Sequence, residues 1–312
     1  MLVYALRGIS VSLAIFLLTY ASLRAIVAAG WKIAERKPGR VRALGPNAVY
    51  LLQVGPFLAS VLAVACFAIP AFLRFEPIGA SEEFGPPVIA LSLLCLSVFI
   101  AALYRALSAY VRTSRLVRKW KRGATAVQDS PLPLFQTGPD SPPLVVAGML
   151  RPKLLVSCST SGLLSEDELA RAIAHESAHI RHHDNLKKMG LRLCQFPPMR
   201  SMEQSWLEAL EIAADQSAVN SKREALDLAS ALVKSSRLSR PTPELVTNLA
   251  SPAGTLLHNR VERLLAWERP QSSATYAQVL IPGAMLSLAI LAVSRYDLLL
   301  WLVHELAEVL MH

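Results

Sequence analysis

Four long apolar stretches constrain the fold of this chain more than any other feature. Three of them contain no charged side chain and the fourth contains only Arg24; they are residues 43–73, 84–104, 271–294 and 8–31. A helix needs about 20 apolar residues to cross a bilayer. We therefore expect four spanning helices, at about residues 8–29, 49–72, 87–109 and 277–294. A cleaved leader peptide is the alternative for the first stretch.

Positive charge is concentrated in two segments next to these predicted spans. Residues 32–42 contain five basic side chains against Glu35, and residues 105–122 contain seven without an acid. Basic loops stay on the cytosolic side of a membrane, so we expect the N-terminus outside and the segment before the last span in the cytosol. Topology and anionic lipid headgroups account for this charge. We therefore expect a lipid bilayer as a partner, and no nucleic acid.

The pattern predicts a mainly α membrane protein with a cytoplasmic α+β domain inserted before the last span. The expected divisions are three spans at 1–110, a basic and Pro-rich linker at 111–143, the soluble domain at 144–276, and a last span with a short amphipathic segment at 277–312. That final segment is charged and short, so we expect it to lie on the membrane or to pack against the spans.

A pair of histidines in the soluble domain carries the strongest chemical signal. His175 and His179 are four residues apart with Glu176 between them, in the order H-E-x-x-H. On a helix this spacing puts both imidazoles on one face, where they can bind one zinc ion. Glu176 then lies where it can take a proton from water at the metal.

Local signals place this motif on a helix that follows two strands. Ser165 and Glu168 form a capping-box pattern, so the helix is predicted to begin there and to end near residues 183–184. Residues 144–147 and 153–156 favour short strands. A strand near 153–157 could pair with an extended substrate by strand addition.

A second apolar pattern follows the motif helix. Residues 226–238 carry apolar side chains at helical spacing, among them Leu226, Leu228, Leu232 and Val233. This spacing predicts a helix that packs into the core of the soluble domain.

A catalytic zinc ion needs a third protein ligand, and Glu211 is the best candidate. His183 lies eight residues from His175, about 12 Å along a helix, which is too far. Glu211 and Asp215 share a predicted helix face, where an ordinary solvated acidic stripe is the alternative. Asp215 is placed to orient a ligand imidazole by a hydrogen bond, and Asp184, after the motif, is a candidate for the same role.

The motif and its surroundings resemble the gluzincin metallopeptidases, in which H-E-x-x-H is followed by Glu-x-x-x-Asp on a later helix. Residues 154–157, 162–169 and 174–185 resemble the BlaR/MecR-type antirepressor peptidases and, less closely, the HtpX/CAAX-prenyl-protease type. The likeness covers about residues 144–220, with a weaker echo at 258–265. We expect no extracytoplasmic penicillin-binding sensor domain in this chain, so antibiotic sensing is not implied.

The resemblance implies a zincin-like domain in which His175, His179 and Glu211 hold one zinc ion and Glu176 acts as the proton carrier. It also implies a protein substrate and a location in a bacterial-type inner membrane. His258 and Arg260, in the weaker echo, are candidate oxyanion stabilisers; an ordinary polar helix face is the alternative for both.

Several functions are compatible with a membrane protein that carries this zinc motif. A transcriptional repressor as substrate, with a separate sensor or repressor as partner, fits the BlaR/MecR resemblance. Damaged membrane proteins fit the HtpX resemblance. A catalytically silent receptor or scaffold would keep the fold without the chemistry. A transporter would be expected to carry ionisable groups inside its spans, and these stretches have almost none.

Overall fold

The computed structural model describes residues 1–37, 41, 44–76, 85–127, 133–238, 247–248, 254–268 and 294–311. The described residues are mostly helical and include a small sheet. It divides into two compact units. The first comprises residues 1–32, 54–101 and 270–312, and the second comprises residues 33–53 and 102–269.

Eleven described α-helices and five strands follow each other along the chain. The helices are α1 (Leu2–Glu35), α2 (Pro46–Ala63), α3 (Ile69–Phe75), α4 (Pro86–Trp120), α5 (Cys158–Leu163), α6 (Glu166–Arg181), α7 (Asp184–Cys194), α8 (Arg200–Ala218), α9 (Lys222–Ser236), α10 (Gly254–Leu265) and α11 (Tyr296–Met311). The strands are β1 (Thr125–Ala126), β2 (Leu134–Thr137), β3 (Leu144–Ala147), β4 (Lys153–Ser157) and β5 (Thr247–Asn248). A π-helical turn, Val64–Ala68, joins α2 to α3 without a break.

Three helical segments are long and apolar enough to cross a membrane: Leu2–Glu35, Pro46–Phe75 and Pro86–Trp120. They coincide with the first three predicted spans, because a charge-free apolar run longer than about 20 residues favours a continuous helix in a bilayer. The fourth predicted span, residues 277–294, lies outside the described residues.

The first unit has its own apolar core. Val11, Ile15, Ala68, Val88 and Ala307 are buried together. Ala307 belongs to α11, so the charged C-terminal segment is a helix packed against the spans, one of the two arrangements predicted for it.

The second unit is built on a sheet with the strand order β1-β2-β4-β3-β5. β3 and β4 are the two predicted strands, and they pair antiparallel with Val145 opposite Leu155. β2 runs parallel to β4, with Phe135 also opposite Leu155. β4 is therefore paired on both sides, and the expectation that it accepts a substrate strand is wrong, because it has no free edge.

Alternating side chains of β3 and β4 give the sheet two apolar faces. On one face Leu144, Val146, Leu154 and Val156 join a core with residues of α6, α9 and α10. On the other face Val145, Ala147 and Leu155 are covered by Val117, Trp120 and Phe135. The sheet is thus enclosed between the motif helix and the end of α4.

Residues 111–143, predicted as a linker, take part in this architecture. Residues 111–120 continue α4, and the segment after them contains β1 and β2. Proline-rich composition indicated a loop, but backbone pairing with β4 orders residues 134–137 as a strand.

The motif helix begins where its predicted capping box lies. The Ser165 hydroxyl accepts from the Glu168 backbone and the Glu168 carboxylate accepts from the Ser165 backbone, which confirms the capping box. On α9, Leu228 and Leu232 are fully buried as predicted. Leu226 and Val233 are instead 44% and 40% exposed, because they lie on the side of the helix turned away from the core.

Candidate metal centre

The two motif histidines converge on one point inside the second unit. Both lie on α6, and their side chains are almost entirely buried. Their Nε2 atoms are 3.3 Å apart, with the ring planes at 80° to each other. Two atoms bound to one tetrahedral zinc ion at about 2.0–2.1 Å lie about 3.3–3.4 Å apart. The histidine pair therefore has the spacing of two ligands to a single ion.

Glu211 reaches the same point from α8. Its Oε2 lies 3.5 Å from His175 Nε2, and its Oε1 lies 3.8 Å from His179 Nε2. One ligand atom from each of the three side chains lies within 4.8 Å of the others. The structure thus brings together His175, His179 and Glu211 from two helices, as a group that could hold a metal ion.

A carboxylate holds each imidazole from its other nitrogen. Asp184 Oδ2 lies 2.7 Å from His179 Nδ1, and Asp215 Oδ1 lies 3.0 Å from His175 Nδ1. With Nδ1 directed to a carboxylate, Nε2 of each ring remains to face the metal position. Burial lowers the pKa of His175, but hydrogen bonds to Asp215 and Glu211 outweigh it and raise that pKa to about 9.

The local chain explains how Asp184 reaches His179. The motif helix ends at Arg181, slightly earlier than predicted, and His183 adopts a left-handed conformation with φ 55°. This conformation reverses the direction of the chain, so that α7 begins at Asp184. The Asp184 carboxylate is thereby turned back toward the motif helix. His182 and His183 themselves are exposed.

Glu176 is fully buried beside the three candidate ligands. Burial raises the pKa of its carboxyl group, while the charges of His179 and His175 lower it, and the net direction is upward. A carboxyl group with a raised pKa is suited to accept and release a proton near neutral pH.

Arg260, on α10, binds two of the carboxylates of α8, those of Glu211 and Asp215. Its Nη1 lies 2.8 Å from Glu211 Oε2, and its Nε and Nη2 donate to the two oxygens of Asp215 over 2.8 and 2.7 Å. Burial alone would raise the pKa of both acids. The charge of Arg260 outweighs this and lowers both pKa values below their ordinary ones. Both acids are therefore ionised and fixed in orientation.

His258 lies elsewhere on α10. Its side chain is 72% exposed, and its Nε2 lies 3.1 Å from Glu262, one turn further along the helix. The structure does not bring it into the buried group, so the two residues predicted together as oxyanion stabilisers occupy different environments.

Charged side chains of both signs surround the candidate ligands. Four carboxylates gather here, on Glu176, Asp184, Glu211 and Asp215. Arg260 pairs with Glu211 and Asp215. Lys187 Nζ lies 3.7 Å from Asp184 Oδ1, and the charge of Lys188 interacts with Glu211, Asp184 and Glu176.

Two residues at this site are not suggested by the motif. Lys188 lies one turn after Asp184, and burial lowers the pKa of its ammonium group against the attraction of Glu211, Asp184 and Glu176. Asn185 donates from its Nδ2 to the backbone oxygens of Val146 and Gly148, over 3.0 and 3.1 Å, and so ties α7 to the end of β3. In the sequence, the i, i+4 spacing from Asp184 is a signal that could have indicated Lys188. No spacing or motif in the sequence indicates the contacts of Asn185.

Comparison with protein-family models gives no match, and comparison with curated proteins gives none either. The motif, the arrangement of the buried side chains and their charges are therefore the features that indicate a function.

Proposed function

We propose that this chain is a membrane-embedded, zinc-dependent endopeptidase of the gluzincin type. Its substrate is a cytosolic or membrane-proximal protein, and its soluble domain faces the cytosol of a bacterial-type inner membrane. The observation that carries the proposal is the convergence of His175, His179 and Glu211 within 4.8 Å, beside the buried Glu176. These are the residue types that a catalytic zinc site uses.

In this proposal His175 Nε2, His179 Nε2 and one oxygen of Glu211 hold the metal. When bound, zinc acts as a Lewis acid that activates water and polarises the carbonyl of the scissile peptide bond. Asp184 and Asp215 keep the imidazole rings in the tautomer and orientation that the metal requires.

Glu176 carries the proton in the proposed reaction. Its carboxylate takes a proton from the attacking water and later delivers it to the nitrogen of the leaving amine. Full burial supports this role, because it keeps bulk water away from the carboxyl group and raises its pKa toward the working range.

The contacts of Arg260 support a positioning role. Three of its N–H groups already meet Glu211 and Asp215, so its charge serves to orient these carboxylates. Stabilisation of the oxyanion by Arg260 or His258 remains a prediction, and the exposure of His258 gives it no support.

Two substrate classes remain within the proposal. A transcriptional repressor fits the BlaR/MecR resemblance, and damaged membrane proteins fit the HtpX resemblance. The alternative outside the enzymes is a catalytically silent scaffold. The substitution Glu176→Gln distinguishes the two, because a scaffold would keep its function with either residue at position 176.

The test is zinc content and proteolysis of the purified full-length protein in detergent. We expect about one zinc ion per chain in the wild type, little in His175→Ala and Glu211→Ala, and near-normal zinc without proteolysis in Glu176→Gln. Glu208→Ala, one turn before Glu211 on the same helix, is the matched control and should keep its zinc. Full metal occupancy in Glu211→Ala would remove Glu211 from the ligand set.

A further inference from the structure

A groove in the second unit is lined by none of the candidate metal ligands or of the carboxylates that surround them. It has a volume of about 370 Å³ and runs between the last turns of α4 and the turn that joins β3 to β4. Tyr110, Thr113 and Val117 line it from the helix, and Met149, Leu150 and Arg151 line it from the turn. The volume lies within the range of about 300–1,000 Å³ that is typical of ligand sites.

The turn that forms one wall is held rigidly. Gly148 has φ +105°, and a Cβ there would lie 2.8 Å from the backbone oxygen of Arg151, so only glycine fits. Asn185 further fixes this turn through its bonds to Val146 and Gly148. Leu150, at the tip, is nevertheless 84% exposed. A large apolar side chain held outward in this way must meet an apolar environment or remain in contact with water.

The position of the groove along α4 indicates which environment this is. Tyr110 follows Pro86 by 24 residues of continuous helix, about 36 Å at 1.5 Å per residue. The hydrocarbon core of a bilayer is about 30 Å thick. A span that enters the hydrocarbon at Pro86 has left it by Tyr110, so a helix placed in this way puts the groove at the depth of the lipid headgroups. Tyr110 is the type of residue that is enriched there.

The packing of α4 keeps the groove at this depth. Val117 and Trp120, further along the helix, cover Val145, Ala147 and Leu155 on the outer face of the sheet. The β3–β4 turn directly follows Ala147 at the end of β3. The helix and the strands that carry the turn are therefore held together by a buried apolar contact, and the groove is preformed.

The charge of the groove favours an anion. Arg151 is exposed and belongs to its lining, which contains no acidic residue. Arg118 is also exposed, and its Nε donates to the backbone oxygen of Ser114, another lining residue, over 3.2 Å. One guanidinium group in the lining and a second one bonded to a lining residue thus accompany the apolar Leu150. A phosphate attached to acyl chains would match this combination.

We propose that this groove binds an anionic phospholipid of the leaflet from which α4 emerges. Arg151 and Arg118 hold the phosphate, and Met149 and Leu150 contact the glycerol and the first methylene groups of the acyl chains. The proposal relies on α4 as a membrane span and is independent of the peptidase activity.

The first experiment measures the depth of Leu150. A fluorophore is attached to Leu150→Cys in full-length protein whose four native cysteines are replaced, in nanodiscs of phosphatidylcholine and phosphatidylglycerol. The control is Leu226→Cys on α9, which is 44% exposed and belongs to the helix on the opposite face of the sheet. Spin-labelled lipids should quench the probe at 150 and leave the probe at 226 unaffected. Equal quenching at the two positions would overturn the proposal.

The second experiment measures lipid binding to the full-length protein by native mass spectrometry. Arg151→Gln and Arg118→Gln should each lower the affinity for phosphatidylglycerol about fivefold, since a basic residue near an anionic surface contributes about 1 kcal/mol. Arg223→Gln, whose side chain is 83% exposed on α9, is the matched control. Binding of phosphatidylcholine should not change. If both groove variants bind phosphatidylglycerol as the Arg223 variant does, the groove is not the site.

Discussion

Arg260 Nη1 lies 2.8 Å from Glu211 Oε2, so the proposed third zinc ligand is held by a guanidinium from a different helix. The same guanidinium binds both oxygens of Asp215. One buried cation thus orients a candidate ligand and the carboxylate that faces His175. The sequence interval between Glu211 and Arg260 is 49 residues, and only packing of α10 against α8 brings them together.

We predict that Arg260→Ala lowers zinc affinity by about 10- to 100-fold, which is the usual effect of removing a residue that orients a metal ligand. Metal-free Arg260→Ala should also lose about 3–5 kcal/mol of stability, because two buried carboxylates lose their countercharge. Competition with a zinc chelator and thermal melting with and without zinc measure the two effects. Arg263→Ala, an exposed arginine on the same helix, should change neither. Unchanged zinc affinity in Arg260→Ala would show that Glu211 does not depend on this contact.

Asp184→Asn should lower zinc affinity by about 10- to 100-fold while preserving the fold. The carboxylate lies 2.7 Å from His179 Nδ1 and fixes the ring so that Nε2 faces the metal position. An amide can present its N–H to that nitrogen and stabilise the wrong tautomer. Zinc titration checks this, with Asp167→Asn, whose side chain is 67% exposed, as the control. Equal affinities in the two variants would contradict the orienting role.

Glu168 gives the second unit a pH-dependent stability. Burial opposes its ionisation, but bonds from Lys234, Ser230 and the Ser165 backbone outweigh this and lower its pKa from the ordinary value of 4.5. A group with a lowered folded-state pKa stabilises the protein above its unfolded-state pKa, and that stabilisation is lost as the pH falls through the folded-state pKa.

Glu168→Gln should therefore lower stability at pH 7 by about 1.5–3 kcal/mol, the value of a charged hydrogen-bonded group. The difference from the wild type should shrink as the pH falls below about 4.5. Melting temperatures across this pH range measure it, and Glu166→Gln, exposed in the first turn of the same helix, is the control. A destabilisation that stays constant with pH would exclude the charge as its cause.

Leu228→Ala should destabilise the second unit by about 2–5 kcal/mol, since it leaves a cavity in a close-packed core. Leu228 is fully buried, whereas Leu226, two residues earlier, is 44% exposed. Leu226→Ala should change the stability by no more than about 0.5 kcal/mol. Thermal or denaturant unfolding of the two variants distinguishes them, and equal losses would mean that α9 packs with a different face inward.

The sequence predicted features that depend on neighbouring residues. The capping box at Ser165 and Glu168, the helix with His175 and His179 on one face, and the paired strands at 144–147 and 153–156 follow from local backbone geometry and spacing. Helical periodicity alone was less reliable. It could not distinguish the buried Leu228 from the exposed Leu226, because the direction of the core is not encoded within one helix.

The sequence by itself determined the three long apolar helices and the placement of two imidazoles and a carboxylate on one helical turn. These are consequences of hydrophobicity and of 3.6 residues per turn. Only the tertiary structure decided that Glu211 meets those imidazoles, that Arg260 and Asp184 orient the group, and that β4 lies inside the sheet. Such contacts join residues far apart along the chain, and they are selected by how helices and strands pack rather than by any spacing within them.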